Sequence, residues 1–374
     1  MITHHKKTFV QQINFVKQET SSVVIDDDIS FHIKQTLSYI KVENYVIITD
    51  SNIQEKVLPK IQKELAFLTP LHILSFPEGE KNKTNITKNN LEKSLSKLSV
   101  NKHTVIISIG GGVVSDLAGF LAATYYRGLP LINIPTSLIG MIDASIGGKV
   151  GINTPFGKNT LGCIKHPLLT LINTQFLETL PKKELLNGIV EAFKYAVISS
   201  PQLFNFINTN HHLLFQSPIN IQYLQPLIKI CCQIKLHIVE QDPEDTGLRK
   251  ILNFGHTTAH ALEILSEYKI SHGEAVAIGM KVAILLSFRQ GFLDSSTTHK
   301  ILFLLNTLYR NRKLNLSISS VKKAMLFDKK CINQDIQFVL LKNLGEVMSF
   351  NGTYCSSVPS SLLNSVLEQV LNGI

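Results

Sequence analysis

The sequence predicts an α/β fold in which a parallel-sheet domain over residues 1–170 is followed by a mainly α-helical domain over residues 171–374. Apolar runs at 45–49, at 71–76 and from Thr104 onward alternate with helical patterns of ten or more residues in the first half. Such alternation implies parallel strands covered on both faces. Three glycines, Gly110, Gly111 and Gly112, then separate the Thr104 run from a helix predicted from Val113 towards Tyr125. From about Pro181 the apolar period turns helical almost throughout.

Residues 1–40 read as short strands and a helix, with Asp26, Asp27 and Asp28 in a turn. The 45–49 strand ends at Asp50, and a helical pattern runs from Asn52 to about residue 68. Ligands of parallel sheets lie beyond the carboxyl ends of the strands, so the Asp50 carboxylate suits ribose hydroxyls. It suits a helix cap equally well. The 71–76 strand is followed by the turn PEGEKNKT and a helix from about 85 to 98.

The strand of Val105, Ile106, Ile107 and Ile109 meets the three glycines and then a helix, a geometry that cradles phosphate. Glycines let backbone N–H groups approach an anion, and the helix N-terminus adds partial positive charge. A tight turn with no ligand has the same pattern. Ser115 stands where the third glycine of the dinucleotide fingerprint falls, and Asp50 precedes the loop instead of following it. Arg127, Asp143, Lys149, Lys158 and Asn159 then appear among glycines and short apolar segments, which points to an anionic ligand. A P-loop is disfavoured, because Asp143 and Val150 occupy the positions of its first glycine and its Ser/Thr.

Helices are predicted over 181–199, 219–240, 253–266 and 273–290, with shorter ones beyond. Pro181 suits a first turn and Pro201 follows a helix end. The active site is expected in the cleft between the two domains. Glu191 and Lys194 stand three apart on one helix face, His256 and His260 four apart on another, and His272 opens a third. A carboxylate with two imidazoles is a normal catalytic zinc set, although each residue alone is more often a satisfied core or surface group. In HTTAH, Thr257 replaces the glutamate that a zincin protease uses as base, which disfavours that class.

At 374 residues, 44% hydrophobic and 17% charged, the composition is that of a soluble globular chain long enough for two cores. No apolar run has signal-peptide or membrane-span length, since Lys281 interrupts 274–288, so a cytoplasmic protein without a membrane partner is expected. The net charge of +9 is scattered in doublets such as Lys182-Lys183, and Trp is absent, so a nucleic-acid partner is not expected. Five cysteines, an odd number without a Cys-x-x-Cys pair, are expected as reduced thiols.

The runs GGGVVSDLAGF, YYRG, IPTSL, DASIGGKVGIN, GKNTLG, LPKKELLNGIVEAFKY, EDTGLRKILNFGHTTAHALE, HGEAVAIGM and DKK follow one another between about Tyr45 and Lys330. In them the chain closely resembles the 3-dehydroquinate synthases, sugar phosphate cyclases of the shikimate pathway that use NAD and a divalent metal. The resemblance implies a Rossmann-like N-terminal domain in which Asp50, Asn52, Glu80, Lys83, Gly111, Gly112, Asp116, Thr136, Ser137, Lys149, Lys158, Phe176 and Thr179 surround NAD. Ser137 replaces a common threonine and keeps the hydroxyl; Ser115 replaces a glycine where helix and sheet approach.

The resemblance also implies that Glu191, His256 and His272 hold one zinc or cobalt ion and that His260 lies near the substrate as a non-ligand. That substrate is a phosphorylated sugar acid, 3-deoxy-D-arabino-heptulosonate 7-phosphate. Lys149, Asn159, Arg127 from the partner subunit of a homodimer, and Lys329 or Lys330 are then expected at its phosphate. Lys235 and Arg249 are expected at its carboxylate side, and Lys194, Asn253 and His260 beside its reacting hydroxyls. Asp143, Lys149, Lys194, Asn253 and His260 form the expected catalytic group. The implied activity is that of a carbon–oxygen lyase: transient oxidation by NAD, phosphate elimination, re-reduction and intramolecular aldol closure. The alternative is another sugar phosphate cyclase, or a metal-dependent polyol or glycerol-phosphate dehydrogenase of the same fold.

Overall fold

Among the described residues, eight strands, β1 (Ser22–Ile25), β2 (Asn44–Asp50), β3 (Leu71–Phe76), β4 (Thr104–Gly110), β5 (Leu131–Pro135), β6 (Lys149–Thr154), β7 (Gly157–Ile164) and β8 (Leu169–Ile172), build the first half of the chain. A computed structural model describes residues 20–155, 157–216, 218–309, 313–326 and 335–373. Six of the strands form a parallel sheet in the order β1-β8-β5-β4-β2-β3, while β6 and β7 pair as a separate antiparallel hairpin. Strands β4 and β5 are buried along their whole length, as two-sided coverage requires. The pleat divides β2 and β4 between two cores. Ile47 and Ile107 face one, whereas Val46, Ile48 and Ile106 face the other.

Register aligns the carboxyl ends of the central strands. Gly110 of β4 is level with Pro135 of β5, and Asp50 of β2 with Phe76 of β3. The loops leaving this edge therefore open on one crevice, the usual ligand position in such sheets.

Helices α1 (Ile29–Leu37), α2 (Ser51–Lys56), α3 (Leu58–Ile61), α4 (Asn85–Ser96) and α5 (Gly112–Thr124) accompany the sheet. The expected continuous helix from Asn52 to residue 68 is instead α2 and α3, broken before Pro59. Proline lacks the N–H for a helical bond and its ring crowds the carbonyl of the preceding turn.

The second half holds α6 (Lys182–Ser199), α7 (Pro201–Leu214), α8 (Ile221–Gln241), α9 (His256–Leu265), α10 (His272–Arg289), α11 (Ser295–Leu308), α12 (Ile318–Leu326) and α13 (Ser360–Leu371). The helix expected from 253 begins at His256, because Leu248–Asn253 is a 3-10 turn and Gly255 has φ +79°. Two small antiparallel pairings, Gln337–Phe338 with Ser356–Ser357 and Leu341–Asn343 with Glu346–Val347, lie where only helices were expected. No helix among the described residues is long and apolar enough to cross a membrane.

Two local devices fix where α9 and α10 start. Ser271 caps α10 reciprocally with Glu274, whose carboxylate accepts from the Ser271 N–H at 2.8 Å. Gly279 of α10 packs directly on Gly255, and a Cβ there would overlap the Gly255 carbonyl and sit 3.2 Å from the Ala259 nitrogen. Gly279→Ala must therefore push the two helices apart. It should cost about 1–3 kcal/mol, measured as a lowered midpoint of thermal unfolding.

Candidate active site and metal centre

Three helices each deliver one ligand to a common point. Glu191 comes from the middle of α6, His256 from the first position of α9 and His272 from the first position of α10. Their ligand atoms lie within 4.8 Å of one another. Glu191 Oε1 is 3.5 Å from His256 Nε2 and 3.2 Å from His272 Nε2. The opposite ring nitrogens have partners of their own: His256 Nδ1 meets the Phe254 carbonyl at 3.1 Å, and His272 Nδ1 meets Glu263 Oε1 at 3.1 Å.

Those outer acceptors select the Nδ1–H tautomer and leave both Nε2 lone pairs aimed at the shared point, the arrangement of metal-ligating histidines. Burial disfavours the charged form of His272, yet Glu263 and Glu191 raise its pKa to about 9. The donor set fits zinc or cobalt. Lys194, one turn along α6, forms an ion pair with the free side of Glu191.

A cleft of 1540 Å³ joins this point to the sheet edge. On the sheet side it is lined by Asp50, Asn52, Gly111, Gly112, Thr136, Ser137, Phe176 and Thr179. Cβ atoms at Gly111 and Gly112 would come within 3.2 Å of Ser137 Oγ and of Ala144 Cβ, so larger residues would fill the cradle at the start of α5. Ser115 is buried, and its hydroxyl donates to the Gly112 carbonyl at 3.1 Å, which absorbs the polar group within the helix turn. Asp50 Oδ1 accepts from the Ile53 N–H at 2.9 Å, so it caps α2 as well as facing the cleft, and burial raises its pKa.

Beside the cradle, buried Lys83 forms an ion pair with Asp116 and donates to Asn159 Oδ1 at 2.6 Å. Glu80 accepts from Asn153 at 2.8 Å, tying the turn after β3 to the β6–β7 hairpin. Lys158 of that hairpin reaches Glu263 on α9 at 2.7 Å. Lys149, also on the hairpin, pairs with Asp245.

Where the turn after β5 meets the helical half, Asp143 Oδ1 accepts from Lys235 Nζ and from the Tyr195 hydroxyl, both at 2.5 Å. Burial pushes the Asp143 pKa up, but Lys235 and then Lys194 hold it far below the usual carboxylate range. Arg249 is fully buried and donates to the carbonyls of Gly147 (2.6 Å) and Pro243 (2.8 Å). It thus braces the Gly147–Gly148 loop and leaves only part of its fork for a ligand. Asn253 and His260 line the cleft, with the His260 ring edge-on to His256 at 5.5 Å.

Arg127 stands apart from these residues. It is exposed beyond the end of α5, with φ +64°, and does not line the cleft of its own chain. Lys329 and Lys330 lie outside the described residues. The sequence reading passed over Tyr195, Asp245 and Glu263. Glu263 carried a signal, since it follows His256 and His260 at the i, i+4, i+7 spacing of one helix face. Asp245 carried none: its loop position at φ +59° follows no period.

A nucleotide-type sheet edge facing a carboxylate–imidazole metal centre across one cleft defines a metal-dependent enzyme with a parallel-sheet half and a helical half. The model of the 3-dehydroquinate synthase N-terminal region matches residues 73–187, and that of the C-terminal region matches residues 188–331. The 3-dehydroquinate synthase of Chlamydia caviae is 40% identical over 343 residues, covering 86% of this chain and 89% of that one. The enzyme of the same name from Chlamydia pneumoniae is 38% identical over 342 residues, covering 86% and 88%. Among solved structures, 2-deoxy-scyllo-inosose synthase, complexed with carbaglucose-6-phosphate, NAD+ and Co2+, shares the fold at a TM-score of 0.84. It is 24% identical, and the match covers 94% of this chain and 96% of that one. The chain belongs to the 3-dehydroquinate synthase family.

The Asp143 cluster gives a measurable pH dependence. Its folded pKa is depressed, so its contribution is complete above the ordinary carboxylate pKa and is lost as pH falls below about 4. Asp143→Asn leaves buried Lys235 without its counter-charge and should cost about 3 kcal/mol near neutral pH. In denaturant unfolding, the gap between wild type and variant should hold at pH 7 and narrow below pH 4.

Proposed function

We propose that this chain converts 3-deoxy-D-arabino-heptulosonate 7-phosphate to 3-dehydroquinate and phosphate in the cleft between sheet and helices, using NAD and one zinc or cobalt ion. The observation that carries the reading is the convergence of Glu191, His256 and His272 on the cleft that also receives the glycine turn at Gly111 and Gly112. The volume of 1540 Å³ exceeds the roughly 300–1,000 Å³ of a single small-ligand site, which supports a dinucleotide and a sugar side by side. When bound, NAD supplies a reversible hydride acceptor and the divalent ion supplies a Lewis acid at the substrate hydroxyl.

The protein's own groups then divide the work. Asp50, Asn52, Glu80, Thr136, Ser137, Phe176 and Thr179 hold the nucleotide, and the Lys83–Asp116 pair and Lys158 fix its orientation. Lys149 and Asn159 bind the phosphate of the sugar acid, with Lys329 or Lys330 beside them. Lys235, next to the loop braced by Arg249, receives the carboxylate. Lys194 and Asn253 hold the reacting hydroxyls. Oxidation of one ring hydroxyl to a ketone acidifies the neighbouring C–H; its proton passes to the leaving phosphate as the C–O bond breaks, and His260 shuttles protons in the later steps. Asp143 keeps Lys235 and Lys194 charged and in place.

The reading includes a sheet domain to about residue 170 with a helical domain after it, and a cytoplasmic homodimer. Arg127 then completes the phosphate site of the partner subunit, which its exposure and its position outside its own cleft support.

Incubation with the heptulosonate phosphate, catalytic NAD and Zn2+ or Co2+ should release orthophosphate without accumulating NADH, and chelation should abolish the release. Net NADH formation would instead identify a dehydrogenase. His260→Ala should lower kcat by about 10²–10⁴-fold; near-normal turnover would remove His260 from proton transfer. An equal mixture of the inactive His260→Ala and Arg127→Ala chains should regain about a quarter of wild-type activity, because half the dimers then contain one complete site. No recovery after verified subunit exchange would place Arg127 outside the partner's site.

A further inference from the structure

We propose that Glu263 is a positioning residue whose single carboxylate oxygen couples occupancy of the nucleotide site to affinity at the metal centre. The inference rests on the cofactor assignments above and adds a link between them. Glu263 is 3% exposed on α9, two turns beyond His256. Its Oε1 lies 2.7 Å from Lys158 Nζ and 3.1 Å from His272 Nδ1, whereas its Oε2 has no hydrogen-bond partner among the described residues. One oxygen therefore serves a cation from the hairpin and an N–H from a metal ligand. The second oxygen offers no substitute for either.

A shared acceptor makes the two bonds compete. The Lys158 ammonium draws electron density from Oε1 and weakens the hydrogen bond that orients His272 and makes its Nε2 a better donor. Lys158 also feels the charge of Glu80, which lines the same cleft. A dinucleotide pyrophosphate presents a third anion to the same ammonium. When that anion takes up part of the lysine's charge, Glu263 is released towards His272 and the metal is held more tightly. Linkage makes the effect reciprocal: metal strengthens nucleotide binding by the same factor.

The test measures Co2+ affinity of the full, metal-stripped chain by competition with a chromophoric chelator, with and without saturating NAD. For wild type, NAD should raise Co2+ affinity about fivefold or more. Glu263→Gln should bind Co2+ about 10–100-fold more weakly than wild type and respond to NAD less than about twofold. Lys158→Met should move the other way: without NAD it should bind Co2+ more tightly than wild type, because Oε1 then serves His272 alone. A purely structural ion pair predicts weaker binding in both variants. Thermal unfolding of the metal-free chains separates lost ligation from lost fold, and Lys158→Met carries the test alone if Glu263→Gln does not fold. Wild-type affinity in Glu263→Gln, or weakened Co2+ binding in a folded Lys158→Met, would overturn the coupling alone. A wild-type chain that binds no Co2+ would overturn the metal assignment and the coupling with it.

Discussion

The buried charge of Glu191 is the constraint to which the helical half of the molecule is fitted. Its side chain is completely inaccessible in the middle of α6. An isolated carboxylate in such a place costs many kcal/mol, so the fold must bring compensating partners to it. Lys194 comes from the same helix, while His256 and His272 come from two others, and this requires α6, α9 and α10 to approach closely. Small residues make the approach possible. Gly273 lies against the Asn187 backbone, where a Cβ would be 2.5 Å from its Cα, and Gly279 lies against Gly255. The glycines are packing devices whose product is a cation site.

Across the cleft, positive charge is held in waiting by carboxylates. Lys83 rests on Asp116, Lys149 on Asp245, Lys158 on Glu263 and Lys235 on Asp143. Two of these four lysines, Lys83 and Lys235, are almost fully buried as residues, and each would be expensive to keep charged without its acid. The acids preserve the charge and fix the ammonium positions, so an anionic ligand meets groups that are already oriented. Two pairs run from the β6–β7 hairpin to the helical half, Lys149 to the loop after α8 and Lys158 to α9. The hairpin is thus the mechanical link between the two walls, and the charge that a ligand brings there is felt on both.

The parts of this arrangement differ in how readable they are from sequence. The strands at 45–49 and from 104 were legible because two-sided burial demands uninterrupted apolar runs, while the half-exposed edge strand at 71–76 was legible from a shorter apolar pattern. Pro59 announced the break between α2 and α3, yet a period that survives on both sides of a proline is easily read as one helix. The pairings between residues 337 and 357 involve strands of two or three residues, too short to show alternation. Histidines four apart and a preceding acid allowed a metal set, but their meeting point depends on tertiary packing that no spacing rule contains. Family resemblance supplied the trio, and the coordinates bring those ligand atoms within 4.8 Å. Glu263 illustrates the opposite case: its spacing from His256 was visible, but a carboxylate on a helix face is so often solvated that only its burial between Lys158 and His272 gives it meaning.

The turn after α5 bears on the proposed homodimer. Tyr126 and Arg127 both adopt left-handed backbone angles, φ +49° and +64°, before Gly128 at φ +124°. For residues with a Cβ this conformation costs about 1–2 kcal/mol each, and such strain persists where surrounding contacts over-determine it. Here the Tyr126 hydroxyl donates to the Val100 carbonyl at 3.2 Å and the Gly128 N–H bonds back to Tyr125, which pins the turn from both sides. The result is a rigid knuckle that carries Arg127 away from its own cleft. A flexible arginine on a surface needs no such support. One that must insert at a fixed place in another protomer does, because a pre-shaped turn avoids the entropy of ordering it on assembly, and this supports the action proposed for Arg127 across a subunit boundary.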